Sequence, residues 1–172
     1  MIMKLGEGIE SGLHCTLLLA MVPSDAVLPA RALAEFHGVS ESYLLKHLQA
    51  LAASGILDAV PGPKGGYRLA HASQEITVLK VVEAIEGTEP AFRCTEIRQR
   101  GPCSGKSSSY RIPCAINQTM LRAEQAWRDS LNKVSIADLV QQISGKVDHK
   151  SVQCATQWIG ERLRLQTVSK ET

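Results

Sequence analysis

The sequence predicts a mainly α-helical fold with a small β-hairpin wing: a winged helix-turn-helix followed by a long dimerisation helix. Three patterns predict it. Residues 29–36 and 41–54 are two short helical stretches joined by a turn at Gly38, the layout of a helix-turn-helix. Residues 56–60 and 67–69 read as strands around the turn Pro61-Gly62-Pro63-Lys64-Gly65-Gly66, so a hairpin directly follows the second helix of the pair. Farther on, Ile116, Met120, Ala123, Trp127 and Leu131 recur at helical spacing.

The 172 residues suit one domain with an extension and suffice to bury a core without staples. The longest apolar run, from Leu17 to Val22, is far too short to span a bilayer. The N-terminus lacks the pattern of a secretory signal. The expected location is cytoplasmic, with no membrane partner and with cysteines reduced or metal-bound. Five cysteines are also an odd number for a disulfide framework. The net charge of +2 divides unevenly: residues 1–75 carry five Lys/Arg against seven Asp/Glu, and residues 76–172 carry fourteen against ten. So faint a basic footprint argues against tight sequence-independent binding to nucleic acid. The sequence contains no P-loop, dinucleotide fingerprint, nucleophile elbow, C-x-x-C or H-E-x-x-H. No enzymatic activity is expected.

In chain order, residues 3–22 read as the first helix, with Leu5, Ile9, Leu13 and Leu17 near one face. Glu10 and His14 are four apart and meet on one face; alone, such a pair is more often a surface contact than a metal site. Cys15 opens an apolar run and reads as core. Pro29 starts the second helix and Gly38 follows its end. Ser40 caps the third, stopped by Gly55, with Leu44, Leu48 and Leu51 as its buried stripe. Ser42, Tyr43, Lys46, His47 and Gln49 lie off that stripe, where base edges would be read. Lys64 and Arg68 on the wing are placed for phosphate or minor groove. Winged modules also bind proteins, but a double-stranded DNA operator is the expected partner.

Thr77 caps a fourth helix carrying Val78, Val81, Val82 and Ile85, which ends at Gly87. The next stretch holds Cys94, Cys103 and Cys114 among Gly, Pro and Ser residues that break periodic structure. A compact domain rarely keeps about twenty structureless residues without a use for them. Three thiols there point to a metal or a disulfide. Pro113 is a good first helical residue, which puts Cys114 in the first turn of the long helix, where amide N–H groups and the helix dipole favour a thiolate. The stripe of that helix must be buried somewhere, and pairing with a second copy is the simplest solution; DNA readers of this kind commonly act as two-fold dimers on two half-sites. The helix face opposite the stripe carries Arg122, Gln125, Arg128 and Asp129. Ser135 caps a short helix over 136–143. Residues 145–150 read as a linker, and 151–168 as a last helix carrying Cys154, Trp158 and Leu163.

Taken together, these residues resemble the Rrf-type family of bacterial transcription regulators, which includes the IscR, NsrR and RsrR types. The matching motifs are Ser40-Glu41-Ser42-Tyr43-Leu44, Gly62-Pro63-Lys64-Gly65-Gly66-Tyr67-Arg68-Leu69 and Glu75-Ile76-Thr77, with the cysteine loop and Ala137-Asp138-Leu139. The resemblance covers about residues 3–144. It implies a homodimer joined by crossed long helices and often a sensory iron–sulfur cluster. Leu13-His14-Cys15 and the stretch from Pro90 to Pro102 look like the RsrR type, in which a 2Fe–2S cluster bridges the subunits. By position the implied ligands are Glu10 and His14 of one chain with Cys94 and Cys114 of the other. The IscR and NsrR types use three more tightly spaced loop cysteines, whereas here eight residues separate Cys94 from Cys103 and ten separate Cys103 from Cys114. Cys103 is thus a spare thiol or a substitute ligand. Pro61 stands where the IscR type carries an arginine, which leaves minor-groove readout weaker or to Lys64.

The implied organisation is a DNA-binding domain over 1–87, a cluster-binding loop over 88–113, the dimerisation helix and a short helix over 114–144, and an extension over 145–172. The expected function is redox-sensing transcription regulation by a homodimer under a 2Fe–2S cluster. Two alternatives stand beside it: a cluster-free regulator that senses oxidants through its thiols, and a three-cysteine sensor of nitric oxide or iron–sulfur status.

Overall fold

Leucines spaced three and four apart on several short helices dictate a helical core, and the computed structural model places that core between α1 and α4. It describes residues 6–105 and 110–165. The elements run α1 (Glu7–Ala20), β1 (Ala26–Val27), α2 (Ala30–His37), α3 (Glu41–Ala53), β2 (Leu57–Val60), β3 (Gly66–Leu69), α4 (Val78–Glu86), a 3-10 turn (Ile97–Gln99), α5 (Ala115–Asn132), α6 (Ile136–Ile143), α7 (His149–Gly160) and β4 (Arg164–Leu165). Leu28, Leu33, Leu44, Leu48, Leu51, Leu57, Ile76, Val81 and Ile136 form the fully buried centre.

Local chemistry fixes the helix-turn-helix. α2 ends on Gly38 in the left-handed region (φ 66), which a side chain would strain. Ser40 then accepts a hydrogen bond from the Tyr43 N–H at 3.2 Å and opens α3. β2 and β3 pair antiparallel, from Leu57 opposite Leu69 to Val60 opposite Gly66. Leu28 beside β1 exchanges both backbone bonds with Tyr67, which ties the wing to the start of α2. Thr77 caps α4 through the Lys80 N–H, and Ser135 and Asp138 form a capping box at α6. α6 returns to the core, with Ile136 wholly buried and its N–H donating to the Ile76 carbonyl.

Several sequence expectations shift. The start of the first helix at residue 3 lies outside the described residues, and α1 ends at Ala20. Cys114 is the N-cap of α5 rather than a first-turn residue: its backbone is not helical (φ −56, ψ 125), and its carbonyl accepts from Gln118 N–H. α7 begins earlier than 151, because Asp148 caps it through the Ser151 N–H at 3.0 Å. It also ends earlier: Leu163 turns back into the core and Arg164–Leu165 pair with β1. The proposed end of that helix at 166–168 lies outside the described residues. Finally, Arg128, on the α5 face opposite the stripe, makes a contact that the sequence does not show. It is half-buried and ion-paired with Glu83 on α4.

Candidate thiol centre and nucleic-acid interface

The described residues of loop 88–114 have little secondary structure, and side chains hold them. Arg98 is the hub. Its guanidinium pairs with the Glu96 carboxylate through two hydrogen bonds and donates to the Ile112 carbonyl at 3.2 Å. Tyr110 Oη donates to the Arg98 carbonyl at 2.9 Å, with the Arg98 cation 5.5 Å from the Tyr110 ring. At the other end, the Ala91 N–H donates to Glu124 of α5 at 3.0 Å. The loop thereby returns Cys94 to the start of α5. One donor atom each of Cys94, Glu96 and Cys114 lie within 4.8 Å of one another.

Glu96 has φ 49, the one left-handed non-glycine among the described residues. Such outliers persist only where surrounding contacts over-determine them, and they cluster at functional sites. Here the conformation turns the carboxylate toward both thiols. Electrostatics at the site favour a thiolate. The Asn117 N–H, then the Ile116 N–H, the Arg98 cation and the Cys94 side chain hold the Cys114 thiol below its usual range, against the cost of desolvation. Arg98 likewise holds the Glu96 carboxyl low. Cys15 is the reverse case: burial pushes its thiol up to about 12, as expected for a small core residue.

Of the proposed ligands, Cys94 and Cys114 come together. Glu10 and His14 do not join them within the chain. Both are exposed on α1, with the His14 ring 5.6 Å from that of His37. Cys103 is exposed and stands outside the Cys94–Glu96–Cys114 group among the described residues. Glu96 and Arg98 were missed from sequence. The Cys-x-Glu spacing was visible, but the left-handed backbone that aims Glu96 was not.

The other surface is α3 and the wing. Ser42, Lys46 and Gln49 are exposed and share a face by their three- and four-residue spacing. Tyr43 is half-buried, with the Lys46 ammonium 4.9 Å from its ring centre. His47 faces inward instead: its ring meets Tyr43 edge-on, its Nε2 is buried without a partner, and a Cβ on Gly8 of α1 would collide with it. His47 thus touches the helix that carries Glu10 and His14. Lys64 is exposed at the wing turn, while Arg68 is bonded to Asp58 across the hairpin at 3.2 Å.

The dimerisation stripe divides in two. Trp127 and Leu131 pack on Ile9, Val78 and Val82 of the same chain. Ile116 and Met120 are 66% and 43% exposed, and Ala123 is exposed beside them.

Residues 5–142 match the Rrf2 family, described as an iron-dependent transcriptional regulator. Protein rrf2 of Nitratidesulfovibrio vulgaris is 30% identical over 142 residues, spanning 83% of this chain and 90% of that protein. Among solved structures, CymR, the global cysteine regulator of B. subtilis, superposes with a TM-score of 0.64 at 20% identity, covering 82% of this chain and 98% of CymR. IscR of T. potens gives 0.62 at 19% identity, covering 88% and 98%. The winged-helix fold and a regulator rather than an enzyme are thus both as expected. No described helix is long and apolar enough to cross a membrane.

Proposed function

The chain belongs to the Rrf2 family of transcriptional regulators, and from that premise we propose that it is a cytoplasmic redox sensor. It binds a double-stranded DNA operator as a homodimer, under control of a 2Fe–2S cluster held between two copies. The carrying observation is the convergence of Cys94, Glu96 and Cys114 within 4.8 Å. Two thiols at one point, one of them held toward the thiolate, are donors that iron–sulfur clusters take, so the residues fit the group. Glu10 and His14 of a second copy complete the RsrR-type set, since their own chain leaves them exposed. Glu96 is a further donor in reserve. When bound, such a cluster supplies one-electron redox chemistry. The chain's residues do the rest. The N–H groups at the α5 N-terminus and Arg98 lower the Cys114 thiol from its usual range, and Glu96 orients Arg98. α1, which carries Glu10 and His14, meets His47 of the recognition helix at Gly8, and so links the proposed sensor to the reader.

Anaerobic purification with iron and sulfide analysis tests this. Cys94→Ala and Cys114→Ala should each lose the visible absorption, His14→Ala should make it labile or alter its potential, and Cys103→Ala should keep it. Loss in Cys103→Ala with retention in His14→Ala would mean that the three loop cysteines are the ligands. On the DNA side, Lys64→Ala should lower affinity across sequences and reduce the salt slope by about one.

A second reading is favoured by the proximity of the two thiols themselves. Cys94 and Cys114 can form a disulfide, giving up two protons and two electrons to an oxidant such as a peroxide. Iron-free protein that loses two thiols per chain on mild oxidation, with a matching change in DNA affinity, supports that reading over the first.

A further inference from the structure

The match to the family ends at residue 142, yet the chain beyond it is built onto the DNA-binding module. Trp158 of α7 meets Phe36 of α2 at 5.3 Å, edge to face. The Arg162 guanidinium stacks 3.9 Å over the Trp158 ring and reaches Glu35 of α2 at 3.8 Å. Ile159 and Leu163 pack against the central core. β4 then pairs with β1, Ala26 opposite Leu165 and Val27 opposite Arg164. β1 is followed by Leu28, which bridges to Tyr67 of the wing. From this strand Arg164 Nη1 donates to the carbonyls of Pro63 and Gly65, both at 2.9 Å. These are the two residues flanking Lys64.

We propose that the C-terminal segment is a clamp that fixes the wing, with Arg164 as the positioning residue that sets how the wing turn meets DNA. The reading rests on the DNA-binding function above and deepens it. The turn is exposed at Pro63 and Lys64 and buried at Gly65, and without the guanidinium its carbonyls would sample several backbone states. Two charge-assisted bonds from one guanidinium select one state. A wing already ordered before contact gives up less conformational freedom on binding. Because the same segment grips α2 through Trp158 and Arg162, wing and helix-turn-helix are held as one piece. Movement of α7 would therefore be felt at the wing.

The test uses the full chain, with Arg164→Ala and Arg164→Lys. Its DNA probe is a duplex selected by the wild-type protein from a random-sequence pool. Amide hydrogen exchange over residues 62–66, measured without DNA, reads the clamp directly. Arg164→Ala should speed that exchange and weaken DNA binding roughly two- to thirtyfold, the range of indirect coupling effects. Arg164→Lys keeps the charge but not the planar fork and should recover only part of both. Unchanged exchange in Arg164→Ala overturns the clamp. Full recovery of affinity in Arg164→Lys while exchange stays fast overturns the positioning role, because charge alone would then explain the effect. A wild-type protein that selects no duplex overturns the DNA reading and the affinity half of the proposal, while exchange still decides whether the tail holds the wing.

Discussion

α3 and α5 carry apolar stripes of similar spacing, and the chain treats them differently. On α3, Leu44, Leu48 and Leu51 are all 0% exposed, seated between α1, α2, α4 and the wing. On α5, no residue is buried, and of its apolar stripe Trp127 and Leu131, at the C-terminal end, are the two packed against the described core of the chain. The first half, with Ile116, Met120 and Ala123, starts beside Cys114 and stays uncovered. The helix-turn-helix is thus finished by its own core, whereas the start of α5, beside the thiols, is not covered by the described residues. An uncovered apolar stripe beside the proposed ligands suits the proposed second copy, which would bring both a helix and the proposed donors Glu10 and His14.

The sharpest way to break this comparison is to truncate one side chain on each stripe. Leu48→Ala removes a side chain with no exposure and should cost about 2–5 kcal/mol in denaturant unfolding. Ile116→Ala should change the stability of the isolated monomer by no more than about 0.5 kcal/mol. Equal losses at dilutions where the protein is monomeric would mean that the first half of α5 is already buried.

Charge on the open stripe gives the next largest effect. Met120→Glu places an unpaired carboxylate in the proposed interface, so the dimer should weaken at least about a hundredfold, near 2.8 kcal/mol. Sedimentation equilibrium reads this, and circular dichroism should show an intact monomer. Trp127→Glu is the poorer probe, since Trp127 also packs on Val78 and Val82 of its own chain. A Met120→Glu protein that still sediments as a dimer would move the interface elsewhere.

How far the sequence could be read follows the same division. α2, α3, the wing, α4 and α6 were legible because their signals are local: Gly38 at a left-handed position, Ser40, Thr77 and Ser135 as caps, and apolar residues at fixed periods. The pairing of Arg164–Leu165 with Ala26–Val27 was not legible, because two-residue strands far apart in sequence have no periodicity to detect. The site was half legible. Cys94 and Cys114 could be named from composition and family resemblance. Glu96 and Arg98 could not, because what matters is a left-handed backbone and an ion pair that closes a loop. The inward turn of His47 was also hidden. Its position off the leucine stripe suggested solvent, but Gly8 on α1 leaves room for its ring.

The smallest expected effect concerns the two kinds of cysteine. Arg98 supports the thiolate at Cys114, while burial holds Cys15 protonated. Removing the cation by Arg98→Gln should raise the Cys114 thiol back toward its ordinary value, since the charged form loses a favourable neighbour. In the iron-free protein, alkylation of Cys114 near neutral pH should slow a few-fold, and the rates should converge well above the ordinary thiol range. The sign for stability follows from linkage. A depressed thiol stabilises the fold above the unfolded thiol's value, and that contribution disappears as pH falls through the folded value. Arg98→Gln should therefore lessen the loss of stability on lowering the pH through that window. Site-resolved mass spectrometry gives the rates, with Cys15 unreactive until unfolding as the internal reference. If the midpoint of the Cys114 profile does not move, the N–H groups of Ile116 and Asn117 are sufficient to hold the thiolate, and Arg98 serves only to fold the loop.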